Sequence, residues 1–195
     1  FNDIENLKPV ILSDNSDSAS LDNVFELLTV SGHSAPLAKL MLIPDAWSKK
    51  SKVLPKEHLQ LFNFLNSSME PWDGPAAIAG TDNEWVIVAS DRNGLRPMRY
   101  TVSRDKLLFA GSETGMIELN EEKIIEKGRL GPGEILGIRI EKGKIFRNTQ
   151  IKNYLAKEYK HYNNQIINLD KKFPIQNEKN LFEDNSLRVR QHLFG

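Results

Sequence analysis

The run Ala89-Ser90-Asp91-Arg92-Asn93-Gly94-Leu95-Arg96-Pro97 constrains the fold of this chain more tightly than any other stretch. It separates two segments rich in β-branched and aromatic residues, 84–89 and 98–103. A polar Asp-Arg-Asn-Gly corner between such segments reads as a strand connection, because Asn and Gly tolerate the positive φ that tight turns require. Pro97 fixes its own φ and holds Arg96 extended. The same texture continues on both sides. Asp82-Asn83 separates residues 76–81 from 84–89 as a hairpin, and further strands are expected over 106–110, 134–141 and 144–147. Within 134–141, Ile135, Ile138 and Ile140 alternate with small or polar residues before Lys142-Gly143 turns the chain. Strands this short and this closely spaced leave no room for helical crossovers, so the sheet should be antiparallel.

The flanks are helical. Residues 13–20 form a loop dense in helix-capping residues, and a helix follows from about Leu21 with Leu21, Val24, Leu27 and Leu28 on one face. Gly32 is placed to end it. Ser34 should cap a second helix, with Pro36 in its first turn, stopping before Pro44. Residues 55–67 carry Leu59, Phe62 and Leu65 at helical spacing, and Ile151, Tyr154, Leu155 and Tyr159 suggest a fourth amphipathic helix. Residues 163–185, rich in Asn and Lys, read as a linker, and 187–194 as the start of another element. The expected class is therefore α+β. It divides into a domain over 1–149 and, over 150–195, a linker with the beginning of a following domain.

Charge and cysteine content narrow the function. The 195 residues hold 26 basic and 26 acidic side chains, so no general attraction to nucleic acid or to an anionic membrane is expected. No apolar run approaches the roughly 20 residues that span a bilayer, and no secretory signal opens the chain, so we expect a cytoplasmic protein. The absence of cysteine removes disulfides, thiolate metal sites, iron–sulfur ligation and a cysteine nucleophile from this segment. The chain starts at Phe1 with mid-domain texture, and we expect it to be a piece of something longer.

Candidate chemistry is sparse. His33, His58, His161 and His192 have no metal-ligand spacing and read as surface or internally satisfied histidines. Gly128, Gly131 and Gly133 sit between sheet-like segments and do not open a helix, which argues against a phosphate loop. Lys49, Lys50 and Lys52 read as a solvated turn. Ser112 and Glu113 lie at a strand end, where a side chain could face a site, but carry no assigned role. Ser16-Asp17-Ser18 is the best candidate on local grounds. A carboxylate and two hydroxyls at a helix entrance can hold a cationic group such as a substrate ammonium, or can simply cap the helix.

Three blocks, taken in order, resemble one family. They are Ser16-Asp17-Ser18-Ala19-Ser20-Leu21-Asp22-Asn23-Val24; then Met41-Leu42-Ile43-Pro44-Asp45-Ala46-Trp47 with Met69-Glu70-Pro71-Trp72-Asp73-Gly74-Pro75; then Asp91-Arg92-Asn93-Gly94-Leu95-Arg96-Pro97. Together with Lys127-Gly128-Arg129-Leu130-Gly131-Pro132-Gly133, they resemble the carboxy-terminal part of the glutaminase domain of glutamate synthase large chains. The third block alone is similar to turns found across class II glutamine amidotransferases.

The resemblance implies an N-terminal-nucleophile fold, an αββα sandwich of two antiparallel sheets between helices, with its N-terminal part missing here. It implies a processed N-terminal cysteine that attacks glutamine, releasing ammonia that aminates 2-oxoglutarate in another part of the enzyme. The nucleophile and the Asn-Gly oxyanion pair are expected upstream of Phe1, so this segment holds no catalytic residue and should not hydrolyse glutamine alone. Asp17 matches the aspartate that binds the α-ammonium of glutamine. FMN and an iron–sulfur cluster are expected in downstream domains, with none in this segment. The implied partners are L-glutamine, the remaining domains of the parent chain and a small reductase subunit, with neither nucleic acid nor membrane. Another class II amidotransferase and a non-catalytic scaffold of the same fold are the competing readings.

Overall fold

A computed structural model describes residues 8–45 and 54–160. Three helices come first: α1 (Asp17–Val30), α2 (Ala35–Leu42) and α3 (Lys56–Ser68). Seven strands follow, β1 (Ala77–Thr81), β2 (Trp85–Ser90), β3 (Arg99–Ser103), β4 (Leu108–Gly111), β5 (Ile124–Arg129), β6 (Ile135–Arg139) and β7 (Lys144–Phe146). Helix α4 (Asn148–Glu158) closes the described part. The strands build two sheets, one of order β1-β2-β6-β7 and one of order β4-β3-β5. Every pairing is antiparallel, as the short spacing predicts.

The layering follows from the two-residue period of β2 and β6. Trp85, Ile87 and Ala89 with Ile135 face the helices and join a core built from Leu37, Leu40, Phe62, Leu65, Ile151 and Leu155. Val88 and Leu136 point the other way, into a smaller core with Met98, Leu130, Tyr100, Leu108 and Ala110 that lies between the two sheets. A helical layer, a four-stranded sheet and a three-stranded sheet therefore stack in that order among the described residues. This is the α+β architecture expected for part of an αββα sandwich. Gly137 pairs with Ile87, and a Cβ added there would meet Ile151 Cδ1 at 3.2 Å and Trp85 Cε3 at 3.3 Å. The missing side chain is what lets α4 approach the sheet.

Several local expectations shift in register. Helix α1 begins at Asp17, one turn before Leu21, because Ser16 supplies the cap: its Oγ accepts from the Ala19 N–H at 3.3 Å. It ends as expected at Gly32, whose φ of +96° lets the Gly32 and His33 amides return to the Thr29 and Leu28 carbonyls. Ser34 precedes α2 but makes no capping hydrogen bond. The acceptor comes from the β1–β2 turn, where Asp82 Oδ2 receives the Ala35 N–H at 2.5 Å. In α3 the buried positions are His58, Leu61, Phe62 and Leu65, and Leu59 is only half-buried.

Strand β5 is the element that the sequence reading omits. Its residues alternate half-buried and exposed, but Ile125 is 61% exposed and Glu126 sits on the half-buried face, so the apolar period of a strand is hidden. Ile138 lies on the opposite face of β6 from Ile135, and Ile140 falls outside the strand. Lys106, taken as the start of a strand, sits at φ +61° in the turn before β4. The expected linker over 163–185 and the element over 187–194 lie outside the described residues.

Candidate functional site

The Asp91 turn is organised by one buried carboxylate. Oδ1 accepts from the Asn93 and Leu95 amides at 3.0 Å each, and Oδ2 from Arg96 at 2.9 Å and Ala76 at 3.2 Å. The backbone adds the Asp91 N–H to the Ala76 carbonyl at 3.0 Å, and the Gly133 N–H to the Asp91 carbonyl at 2.8 Å. Burial pushes the Asp91 carboxyl up, but the four amides outweigh it and hold the group below the usual carboxylate range. Gly94 closes the corner at φ +67°, in the left-handed region that its lack of a Cβ permits. The turn is thus a structural corner, as its wording as a strand connection predicts. Its carboxylate also fixes two positions, Ala76 and Arg96, that border a cavity.

That cavity, of about 550 Å³, is a cleft between α1, the end of α2 and strand β1. Ser18, Asp22, Lys39, Ala76 and Arg96 are among its lining residues. Asp17, the predicted ammonium ligand, is not itself a lining residue; it is the first residue of α1 and precedes the lining residue Ser18 in the chain. The division of labour at this helix start is informative. Ser16 Oγ takes the capping amide and contacts Ser18 Oγ at 3.2 Å, and Ser20 Oγ donates to the Ser16 carbonyl at 3.2 Å. Asp17 is exposed and takes no part in the cap, and its carboxylate has no hydrogen-bond partner among the described residues. The cleft lining thus carries both signs of charge, Asp22 on α1 against Arg96 and the buried Lys39.

Lys39 is the feature that sequence reasoning missed. All eight residues of α2 are buried, and Lys39 is 1% exposed. Its Nζ donates to the Gly133 carbonyl at 2.7 Å. Close by, the Lys152 ammonium of α4 pairs with Asp45 Oδ2, while Asp45 Oδ1 is buried with no partner among the described residues. Burial pulls the Lys39 amine down to about 7, with Lys152 acting in the same sense and Asp45 and Asp91 against it. The available signal was compositional: one lysine inside the otherwise apolar helix Ala35–Leu42 has no solvent face to occupy.

The remaining candidates lie elsewhere. His58 is buried, and its Nε2 is hydrogen-bonded to Asn153 Oδ1 at 2.7 Å, joining α3 to α4 as an internally satisfied histidine. Gly128 sits in β5 under Tyr100, where an added Cβ would come within 2.3 Å of the ring, so it cradles a side chain and no phosphate. Ser112 and Glu113 are exposed, and Glu113 borders a second cavity of about 410 Å³ against β3, β4 and β5, distinct from the cleft lined by Ser18. His161, His192 and the Lys49, Lys50 and Lys52 turn lie outside the described residues. Among the described residues no helix is long and apolar enough to cross a membrane.

Comparison with known proteins extends the picture. Residues 1–164 match the family described as glutamine amidotransferases class-II. The chain is similar to the glutamate synthase [NADPH] large chain of Azospirillum brasilense, 45% identical over 98% of this chain and 13% of that protein. The corresponding protein of Bacillus subtilis is 37% identical over 99% of this chain and 13% of its own length. The ferredoxin-dependent glutamate synthase 2 of Synechocystis is 35% identical over the same shares. This chain thus spans 13% of the length of these relatives. With the match running through the helix that carries Asp17, the Asp91 corner and both sheets, the chain belongs to the class II glutamine amidotransferases.

Proposed function

We propose that this segment supplies one wall of the glutamine site of a glutamate synthase, in a domain that hydrolyses L-glutamine to glutamate and ammonia for the amination of 2-oxoglutarate. The observation that carries this reading is the arrangement at the start of α1. Ser16 serves the helix cap, which leaves the Asp17 carboxylate unengaged among the described residues, next in the chain to Ser18 of the cleft lining. A carboxylate at that place can accept the α-ammonium of an amino acid through charge-assisted hydrogen bonds.

The segment contributes binding and shape. It has no cysteine, so the thiol that attacks the amide must come from elsewhere in the parent chain, together with the oxyanion donors. For the same reason the chain offers no thiolate to an iron–sulfur cluster, and we place the cluster and FMN in other domains of a cytoplasmic parent enzyme, with reducing equivalents supplied through a small reductase subunit.

The test is Asp17→Asn in the intact polypeptide. Losing the charge while keeping the shape should raise KM for glutamine by about tenfold or more, in line with the loss of a charge-assisted hydrogen bond. An unchanged KM would overturn the ammonium-binding role. An intact polypeptide with an N-terminal cysteine that released no glutamate from glutamine would point to the scaffold reading instead.

A further inference from the structure

A chain of contacts runs from the interior of α2 to the walls of the cleft. Lys39 Nζ holds the Gly133 carbonyl at 2.7 Å, and the Gly133 amide holds the Asp91 carbonyl at 2.8 Å. The Asp91 carboxylate in turn holds the amides of Ala76 and Arg96, both of which line the cleft, as Lys39 itself does. The loop at Gly133 has little freedom to move elsewhere, because a Cβ there would sit 3.1 Å from Asp45 Oδ1 and 3.2 Å from Asp45 Cα. Asp45 is itself anchored to Lys152 of α4. Four buried or nearly buried charges, Lys39, Asp45, Asp91 and Lys152, thus stand behind the cleft on separate parts of the fold.

A buried lysine costs stability unless it is repaid by its partners. An apolar side chain would fill the same space in α2 without that cost, so retaining an amine here needs a reason beyond packing. We propose that Lys39 is a positioning residue for the cleft: its amine clamps the Gly133 loop onto the Asp91 corner and so fixes Ala76 and Arg96 for glutamine binding. The glutamine part of this inference rests on the function proposed above. The clamp itself does not.

The clamp carries a pH signature. Burial brings the Lys39 amine to about 7, so it is an ammonium below that pH and a neutral amine above it. Both forms can donate to the Gly133 carbonyl, but only the ammonium is attracted to Asp45 and Asp91. The charged groups facing it are Asp45 from the end of α2, Lys152 from α4 and Asp91 from the strand connection; Asp22 of α1 and Arg96 share the cleft. The clamp is therefore tighter on the acid side of pH 7.

Two variants in the intact polypeptide test this, Lys39→Met, which removes the donor, and Lys39→Gln, which keeps a donor without the charge. Hydrogen exchange gives the first readout and needs no enzymatic activity. In Lys39→Met the amides of Asn93, Leu95, Arg96 and Gly133 should exchange at least about tenfold faster, while those of β2 and β6 stay protected, and Lys39→Gln should fall between Met and wild type. Unchanged protection around Asp91 and Gly133 would overturn the clamp, whatever the enzyme does. Steady-state kinetics gives the second. Lys39→Met should raise KM for glutamine by about tenfold with a smaller change in kcat, and Lys39→Gln should recover part of the loss. Between pH 6 and 8.5 the ratio of variant to wild-type KM should shrink as the wild-type amine loses its proton. An unchanged KM, or a fall in kcat alone, would overturn the positioning role, and a ratio independent of pH would overturn its pH signature. If Lys39→Met fails to fold, the Lys39→Gln exchange pattern and its KM ratio decide the matter by the same criteria. Loss of protection around Asp91 with no glutamine hydrolysis in the wild type would leave the clamp standing and remove the glutaminase reading.

Discussion

Asp91 shows how one side chain can stand in for a stretch of backbone pairing. Its two oxygens collect amides from Ala76, Asn93, Leu95 and Arg96, groups that would otherwise be left without acceptors where a strand has just ended. Asp91→Ala strands all four at once. The expected loss is more than about 3 kcal/mol of unfolding free energy, since a hydrogen bond to a charged group contributes about 1.5–3 kcal/mol and four are lost together. Chemical denaturation of variant and wild type measures it. The same carboxyl gives an acid signature. Its pKa lies below the usual carboxylate value in the folded chain, so the unfolded chain binds more protons as pH falls through that range. The stability it contributes is present above about pH 4 and is lost as pH drops through the folded value.

At the scale of elements, Asp82 does for the β1–β2 hairpin and α2 what Asp91 does for its own corner. Oδ1 accepts the Glu84 and Trp85 amides at 2.6 Å each, closing the turn, and Oδ2 accepts the first amide of α2. Asp82→Ala should therefore cost more than an ordinary cap, about 2–3 kcal/mol against about 1 for a single lost cap. Comparing Cm for Asp82→Ala with that for Ser16→Ala, which removes the cap of α1, checks the difference.

The sequence revealed the hairpin and the existence of α2, because turn chemistry and apolar periodicity are local signals. It could not reveal which residue capped α2, because Ser34 has the right chemistry at the right place and the winning acceptor lies far along the chain. Strand β5 escaped for a related reason. Half its residues are solvated, so the Glu126-Lys127 pair breaks any apolar alternation and the strand shows only once β3 is seen beside it. Asp17 was legible as a helix-entrance carboxylate, but only the structure separates it from the cap. Lys39 was visible and unremarked, since a lone charge in an apolar helix is silent about what it reaches.

For the described part as a whole, the two cores are unequal. Eighteen buried residues join the helices to the first sheet, and four join the first sheet to the second. The Arg147 links to the second sheet are solvent-facing: Arg147 donates to Glu126 at 2.6 Å and to Tyr100 at 3.0 Å, and exposed ion pairs of this kind contribute about 0–1 kcal/mol. The second sheet should therefore open more readily than the first. Native-state hydrogen exchange should find β3, β4 and β5 amides exchanging through lower-energy openings than those of β2 and β6. Equal protection in both sheets would contradict this ranking of the cores.

The Asp82 contact also bears on the order in which structure can form. Ala35 and its acceptor are 47 residues apart, so a chain emerging from the ribosome completes α2 and then waits for all of α3 and β1 before that helix end is satisfied. Until then α2, with eight residues, falls short of the roughly 12–15 that an isolated helix needs to persist in water. Its apolar length must be held by collapse alone during that interval, and the hairpin turn becomes the event that commits the helical layer to the sheet.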